Sequence, residues 1–195
     1  MTIACFERKA AIIIGSPRKN GSTYALVQEA KRGLTSRGIL TETVWLNDLV
    51  IRDCQGCHGC KQDENADCVL MDGMQDVYRL MQESSGILFA SPVYFSGVSG
   101  LSRLWLDRLV PYIGSDLSPR LPGTKHISFI FTQNLADTSV FAPGLESFMD
   151  SVAMTGMSCH DYLIAGDCEA GIKPPVTGRP EIMERAFRIG CELLD

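Results

Sequence analysis

Four cysteines with short, regular spacing are the residues of this chain best suited to chemistry. Cys54, Cys57 and Cys60 form a C-x2-C-x2-C pattern, and seven residues separate Cys60 from Cys68. Bacterial ferredoxins use this spacing to hold three thiolates around iron-sulfur clusters, and a further ligand comes from elsewhere in the chain. The glycines between the cysteines allow tight winding. The sequence therefore predicts a [4Fe-4S] cluster bound by these four residues.

Two other kinds of site use the same side chains. A structural zinc ion also takes four cysteine ligands, but it more often uses two separated C-x2-C pairs. Free thiols on a redox-active loop are the third alternative. The spacing favours the cluster over zinc, and zinc over free thiols.

A second stretch suited to chemistry runs from Gly15 to Thr23 and joins an apolar run to a helical pattern. Arg18 carries a planar guanidinium suited to phosphate oxygens. Short hydrogen-bonding side chains beside the free amides of the helix start belong to Ser16, Asn20, Ser22 and Thr23. An ordinary turn in which Ser22 only caps the helix is the alternative. The segment matches neither the P-loop nor the G-x-G-x-x-G pattern, so it favours the phosphate of a mononucleotide.

Five apolar runs that alternate with helical patterns position these loops. The run from Lys9 to Ile14 is continuous, as expected for a strand covered on both faces, and an amphipathic helix follows from Ser22 to Arg37. The predicted strands cover residues 9–14, 41–46, 86–91, 126–132 and 159–164. The pattern predicts a single α/β domain over residues 1–195, with a doubly wound parallel five-stranded sheet of order 2-1-3-4-5. A cysteine-rich insertion at about 47–71 follows the second strand.

In a sheet of this order, ligands bind at the carboxyl ends of the strands, beside the first and third strands. Three loops, 15–23, 91–97 and 132–139, should therefore converge. The second loop offers two aromatic rings for a flat heterocycle, and its candidate residues are Pro92, Val93, Tyr94, Phe95 and Gly97. The third offers polar groups for the edge of the ring from Thr132, Gln133 and Asn134. For Phe95 alone, burial in the core is the favoured alternative. Together with the phosphate loop, these residues predict FMN.

Several of these segments resemble those of the flavodoxin-like, NADPH-dependent FMN reductase superfamily. The turn from Gly15 to Arg18 is similar to the G-S-P-R turn that holds the FMN phosphate in that family, and residues 91–95 resemble its S-P-V-Y-F/W segment. The D-R pair at Asp107 and Arg108, interpreted here as a local ion pair, and the F-T-Q of residues 131–133 extend the resemblance over most of residues 9–165. Asn134 departs from it, because the commoner pattern has glycine there.

The cysteine motif after the second strand makes the chain similar to the iron-sulfur flavoprotein branch of this superfamily. The resemblance implies a flavin-dependent oxidoreductase that transfers electrons between a [4Fe-4S] cluster, FMN and a redox partner protein or small acceptor. The alternative is an NAD(P)H-dependent FMN- or quinone-type oxidoreductase with structural cysteines. A metal- or redox-sensing protein would not need the phosphate loop. A homo-oligomer, dimer or tetramer, is expected because neighbouring chains often complete such flavin sites, and no residue is assigned as catalytic.

Composition narrows the function further. The chain has 195 residues, of which 45% are hydrophobic and 21% are charged, as suits one domain with a substantial core. A net charge of −5 without any basic run argues against nucleic acid and anionic membranes as partners. No apolar run reaches membrane-spanning length, and the N-terminus lacks an export signal. We therefore expect a cytoplasmic protein whose cysteines are thiols or metal ligands.

Overall fold

A computed structural model describes residues 8–62, 67–169 and 175–195. Its strands are β1 (Lys9–Ile14), β2 (Leu40–Trp45), β3 (Gly86–Tyr94), β4 (Gly97–Val98), β5 (Lys125–Thr132) and β6 (Met157–Ala165). Five of them form a parallel sheet of order β2-β1-β3-β5-β6, and the short β4 pairs antiparallel with the end of β3. The predicted doubly wound sheet and its strand order are confirmed, whereas the β3–β4 hairpin was not predicted.

Helices cover both faces of the sheet. They are α1 (Ser22–Ser36), α2 (Met74–Glu83), α3 (Gly100–Asp107), α4 (Ala142–Ala153) and α5 (Pro180–Glu192). One core cluster contains apolar residues of α1 and α5, and the other contains those of α2, α3 and α4. No helix in the described ranges is long and apolar enough to cross a membrane.

The continuous apolar run of β1 is explained by its central position. Ala11 and Ile13 belong to the α2/α3/α4 core, while Ala10, Ile12 and Ile14 belong to the opposite core, and all five are fully buried. Because both faces of β1 are covered, an apolar residue is favoured at each of these five positions. Each buried isoleucine contributes roughly 1.5–3 kcal/mol of transfer free energy. This strand ends directly before residues 15–23, the predicted phosphate site, which is called the phosphate-type loop below.

Strand β3 continues past the predicted end at Ser91 to Tyr94. Its pairing with β1 ends at Ala90, so Pro92 is paired in the main sheet with β5 alone. A proline is tolerated there because it interrupts no second ladder. The extension carries the aromatic residues beyond the sheet edge and into the hairpin with β4.

Candidate functional site

A cleft of about 710 Å³ opens at the carboxyl ends of the central strands. Its walls come from the phosphate-type loop, the β3–β4 hairpin and the segments after β5 and β6. The lining residues are Arg18, Pro92, Val93, Tyr94, Phe95, Ser96, Thr132, Gln133, Asn134, Phe141, Cys168 and Glu169. All three loops expected to converge therefore contribute to one cleft.

The start of α1 leaves backbone amides without side-chain caps. The helix begins at Ser22, its N-cap is Gly21, and no side-chain cap hydrogen bond forms there among the described residues. The first turn also contains no acidic residue. The alternative in which Ser22 caps the helix is therefore wrong, and the amide dipoles of this turn are suited to a bound anion.

Gly15 fastens this loop to its neighbours. Its amide donates to the carbonyl of Ala90 at 2.8 Å, and its carbonyl accepts from the Oγ of Ser99 at 2.7 Å. A Cβ atom on Gly15 would overlap the Oγ of Ser102. Only glycine fits this contact, which ties the phosphate-type loop to β3 and to the start of α3.

The β3–β4 hairpin presents an aromatic side chain to solvent. Phe95 and Ser96 both have positive φ angles, +47° and +67°, as a primed two-residue hairpin turn requires. Phe95 is fully exposed and Tyr94 is 44% exposed, so the alternative of a core position for Phe95 is wrong. Gly144 of α4 lies so close to the Ser96 carbonyl that a side chain there would overlap it. Contact with α4 therefore supports a strained turn beside the cleft.

The loop after β5 contributes a buried acceptor. Gln133 is 2% exposed, and its Nε2 donates to the carbonyls of Leu135 and Asp137 at 3.1 and 2.9 Å. Its Oε1 has no partner within the described part of the chain. A buried acceptor without a partner is costly, so Gln133 is suited to a ligand that carries an N–H group. The hydroxyl groups of Thr132 and Thr23 share a hydrogen bond of 2.7 Å, which links this loop to the phosphate-type loop.

Five predicted residues do not line the cleft, and they are Ser16, Asn20, Ser22, Thr23 and Gly97. Ser16 and Thr23 are buried within the phosphate-type loop, whereas Asn20 is exposed and Ser22 and Gly97 are half-buried. These residues shape the loops, while Arg18 reaches the cleft. Asn134, the departure from the common pattern, lines the cleft and is exposed.

Sequence reasoning missed four cleft residues, namely Ser96, Phe141, Cys168 and Glu169. Cys168 is buried, burial raises the pKa of its thiol, and a hydrogen bond with the Ser22 side chain acts in the opposite direction. Cys168 follows β6, whose carboxyl end shares the edge of the other parallel strands. That topology was the one signal that could have identified it.

A second cavity, of about 230 Å³, is lined by all four cysteines of the predicted cluster motif. Cys60 is buried, Cys68 is half-buried, and Cys54 and Cys57 are exposed. Burial raises the pKa of the Cys60 thiol. Within the described ranges, no group of three or more Cys, His, Asp or Glu side chains is arranged to hold one metal ion.

The backbone winds tightly around Cys57. Gly56 and His58 on either side of it have φ angles of +61° and +58°, and a single 3₁₀ turn follows at Gly59–Lys61. Left-handed residues occur in the concave backbone turns that are common at phosphate and iron-sulfur sites. Residues 63–66 of the predicted insertion lie outside the described residues.

A buried ion pair anchors the part of the chain that carries Cys54, Cys57, Cys60 and Cys68, which is called the cysteine segment below. Arg108 binds both carboxylate oxygens of Asp72, at 2.7 and 3.2 Å, and the Tyr78 hydroxyl donates to the Arg108 carbonyl at 2.5 Å. Burial is the largest single effect on both partners and opposes their ionisation. Their mutual hydrogen bonds, together with other hydrogen bonds and charges nearby, outweigh it, so the pKa of Asp72 is lowered and that of Arg108 is raised. Asp107 pairs instead with Arg103, so the interpretation of Asp107 and Arg108 as a local pair is wrong.

Further hydrogen bonds fix both ends of the segment. Gln75 of α2 donates to the carbonyls of Cys68 and Leu70 at 3.0 and 2.8 Å. The ammonium group of Lys61 donates to the carbonyls of Val110 and Ile113. The cysteines are therefore presented by a segment anchored to α2 and to the chain after α3.

Among the described residues the two cavities share no lining residue, and α3 lies between them in the chain. The hairpin that borders the cleft precedes this helix, whereas Asp107 and Arg108 at its end line the cysteine cavity. A helix of eight residues is about 12 Å long. One short helix therefore connects the walls of both cavities.

A doubly wound sheet of this strand order, with a phosphate-type loop and an aromatic hairpin at its carboxyl edge, defines a flavodoxin-like protein. An archaeal flavodoxin superposes with a TM-score of 0.58 over 95% of this chain and 96% of its own, at 11% identity. An NAD(P)H:quinone oxidoreductase from Methanothermobacter marburgensis superposes with a TM-score of 0.77 over 97% and 98% of the two chains, at 16% identity.

The chain belongs to the NADPH-dependent FMN reductase family, which it matches over residues 8–121. It is 39% identical over 112 residues to an iron-sulfur flavoprotein of Methanocaldococcus jannaschii, with 57% of each chain covered. It is 36% identical over 104 residues to an iron-sulfur flavoprotein of Archaeoglobus fulgidus, with 53% of this chain and 46% of the relative covered. The chain thus spans about half the length of the curated relatives it matches, and the predicted family resemblance is confirmed.

Proposed function

We propose that this protein is an FMN-dependent oxidoreductase that transfers electrons between a [4Fe-4S] cluster in its cysteine segment, FMN in its cleft and an external acceptor. The observation that carries the proposal is the convergence of all four motif cysteines on one cavity, joined by α3 to the wall of the cleft. Family membership and the names of the iron-sulfur flavoprotein relatives support it.

The residues of the cleft fit FMN in three respects. Arg18 and the uncapped amides at the start of α1 suit a phosphate dianion. Tyr94 and Phe95 offer aromatic faces to a planar ring. The Oε1 of Gln133 would accept a hydrogen bond from a ring N–H, which would satisfy a buried acceptor. When bound, FMN supplies both one-electron and two-electron chemistry.

The cysteine cavity fits a cluster by its donor set. Four thiol side chains surround it, and the left-handed residues beside Cys57 allow the backbone to wrap around a bound anion. A cluster held there supplies single electrons. Cys54, Cys57, Cys60 and Cys68 hold the group, while the buried pair of Asp72 and Arg108 fixes the segment that carries them.

Exposed apolar side chains lie on the hairpin beside the cleft and on the loop after β5. These exposed apolar residues are Tyr94, Phe95, Leu135 and Val140. We propose that a second copy of this chain covers part of this surface in a dimer or tetramer. The remaining opening serves a redox partner protein, a small acceptor or NAD(P)H.

Anaerobic purification followed by flavin, iron and sulfide analysis tests the proposal. We expect bound FMN together with about four irons and four sulfides for each chain, as the cluster formula requires. Cys57→Ser should abolish iron and sulfide, slow flavin reduction by a one-electron donor, and leave FMN affinity nearly unchanged because the two cavities share no residue. Cys159→Ser is the matched control, since Cys159 is exposed and lines neither cavity.

Two results would overturn the electron relay. One is anaerobic wild-type protein that binds FMN without iron or sulfide. The other is Cys57→Ser protein whose flavin is reduced as fast as that of the wild type. Either result moves the assignment to an NAD(P)H-dependent FMN- or quinone-type oxidoreductase in which the cysteines are structural.

A further inference from the structure

Arg108 is a buried cation on the wall of the cysteine cavity. The residue is 1% exposed, and it lines the same cavity as the four cysteines. Charged side chains are rarely buried so completely unless they are paired. The Asp72 carboxylate compensates the positive charge of the guanidinium, but it does not accept a hydrogen bond from every N–H group.

The five N–H groups of Arg108 can be accounted for one by one. Its Nη1 donates to the Arg52 carbonyl and to Oδ2 of Asp72, both at 2.7 Å. Its Nη2 donates to Oδ1 of Asp72 at 3.2 Å and to the Leu70 carbonyl at 3.5 Å. The remaining donor, Nε–H, is buried and forms no hydrogen bond among the described residues. The Tyr78 hydroxyl lies close enough to the guanidinium to raise the pKa of Arg108, but it donates its own proton to the Arg108 carbonyl. A buried charged donor without an acceptor is destabilising, so the fold retains it at a cost.

We propose that the Nε–H of Arg108 donates a hydrogen bond to a sulfur atom of the group held in the cysteine cavity and thereby raises its reduction potential. This inference rests on the proposed function. The cysteine sulfurs that line the cavity, once they are thiolates, and the sulfides of a cluster are acceptors for such a donor. Hydrogen bonds to sulfur are one of the means by which proteins set iron-sulfur potentials.

The effect follows from charge. One electron taken from an external reductant makes the bound group more negative, and Arg108 keeps all its protons in both states. A hydrogen bond from this donor to sulfur therefore stabilises the reduced form more than the oxidised form. Asp72 largely cancels the net charge of the guanidinium at a distance, so the hydrogen bond accounts for most of the shift.

Two variants separate the hydrogen bond from the folding role of the pair. Arg108→Lys retains the positive charge beside Asp72 but lacks the Nε–H of the guanidinium fork. The double variant Arg108→Gln with Asp72→Asn removes both charges, so that no unpaired charge is buried. Arg103→Lys is the control, because Arg103 lies on the same helix with a side chain that is 63% exposed. Each protein is purified anaerobically, assayed for iron and sulfide, and titrated with dithionite to obtain the midpoint potential.

We expect wild-type iron content in both variants and a tenfold loss in the equilibrium constant for reduction, which lowers a one-electron potential by about 59 mV. The Arg103→Lys potential should equal that of the wild type. Wild-type protein labelled with ¹⁵N-arginine provides a measurement that does not depend on variant folding. Pulsed EPR of the reduced protein should detect ¹⁵N coupling across the hydrogen bond.

The outcomes distinguish failure of the proposed function from failure of the role proposed for Arg108. Wild-type protein without iron overturns both the proposed function and this inference. A wild-type cluster with no ¹⁵N coupling, or with variant potentials equal to the Arg103→Lys control, overturns the inference and leaves the proposed function standing. Loss of iron in both variants, with ¹⁵N coupling present in the wild type, supports the inference through the spectrum alone.

Discussion

Replacement of Arg18 by alanine tests the assignment of the phosphate subsite most directly. Arg18 is the residue of the phosphate-type loop that lines the cleft, and its side chain is exposed to solvent. A hydrogen bond to a charged group contributes roughly 1.5–3 kcal/mol, and partial solvation favours the lower end of this range. We therefore expect Arg18→Ala to raise the dissociation constant of FMN about tenfold.

The effect must depend on the phosphate. Riboflavin has the same ring without the phosphate group, so Arg18→Ala should leave the affinity for riboflavin nearly unchanged. Ser22→Ala should also weaken FMN binding, but by less than Arg18→Ala, because Ser22 does not line the cleft and acts through the loop that carries Arg18. Titration of the apoprotein with each flavin, followed by the quenching of flavin fluorescence, measures both constants.

Lys19 provides a matched control on the same loop. Its ammonium group pairs with Asp48 at 2.5 Å and lies 5.5 Å from the centre of the Trp45 ring, so it is already engaged away from the cleft. Lys19→Ala should therefore bind FMN like the wild type. The reasoning is refuted if Arg18→Ala weakens FMN and riboflavin equally, or if Lys19→Ala and Arg18→Ala have the same effect.

Three further predictions follow from single contacts. Gly15→Ala should lower the free energy of unfolding by about 1–3 kcal/mol in urea melts, because its Cβ overlaps Ser102, and Ser102→Ala in the same chain should restore part of the loss. The lowered pKa of Asp72 contributes stability that is present above its unfolded pKa of about 3.9 and is lost as pH falls through the folded pKa, so Asp72→Asn should flatten the acid limb of stability below about pH 5. Phe95→Ser should shift the oligomer towards monomer in sedimentation equilibrium, and a wild-type monomer with FMN bound would contradict this.

The sequence was sufficient where a single physical constraint acts on neighbouring residues. The apolar run of β1 requires cover on both faces, and that requirement led to the central strand and the sheet order. The convergence of loops on one cleft followed from the shared carboxyl edge of parallel strands. The spacing of the four cysteines was likewise enough to predict that they share one cavity.

Features that depend on distant partners could not be predicted. Arg108 pairs with Asp72, 36 residues earlier, and no local pattern links the two positions. The exposure of Phe95 depends on a left-handed turn that aromatic residues rarely adopt, and it is supported by Gly144 from a later helix. Cys168 lies in a loop without a motif, so only the three-dimensional position of β6 brings it to the cleft.

Helix α3 is held at both of its ends by buried hydrogen bonds. At its start, the Ser99 side chain accepts from the Ser102 amide and donates to the carbonyl of Gly15, which fastens the helix to the phosphate-type loop. At its end, Arg108 is fixed by Asp72 and lines the cysteine cavity. Buried hydrogen bonds thus hold both ends of a helix about 12 Å long. The helix therefore ties the phosphate-type loop at one end to the wall of the cysteine cavity at the other.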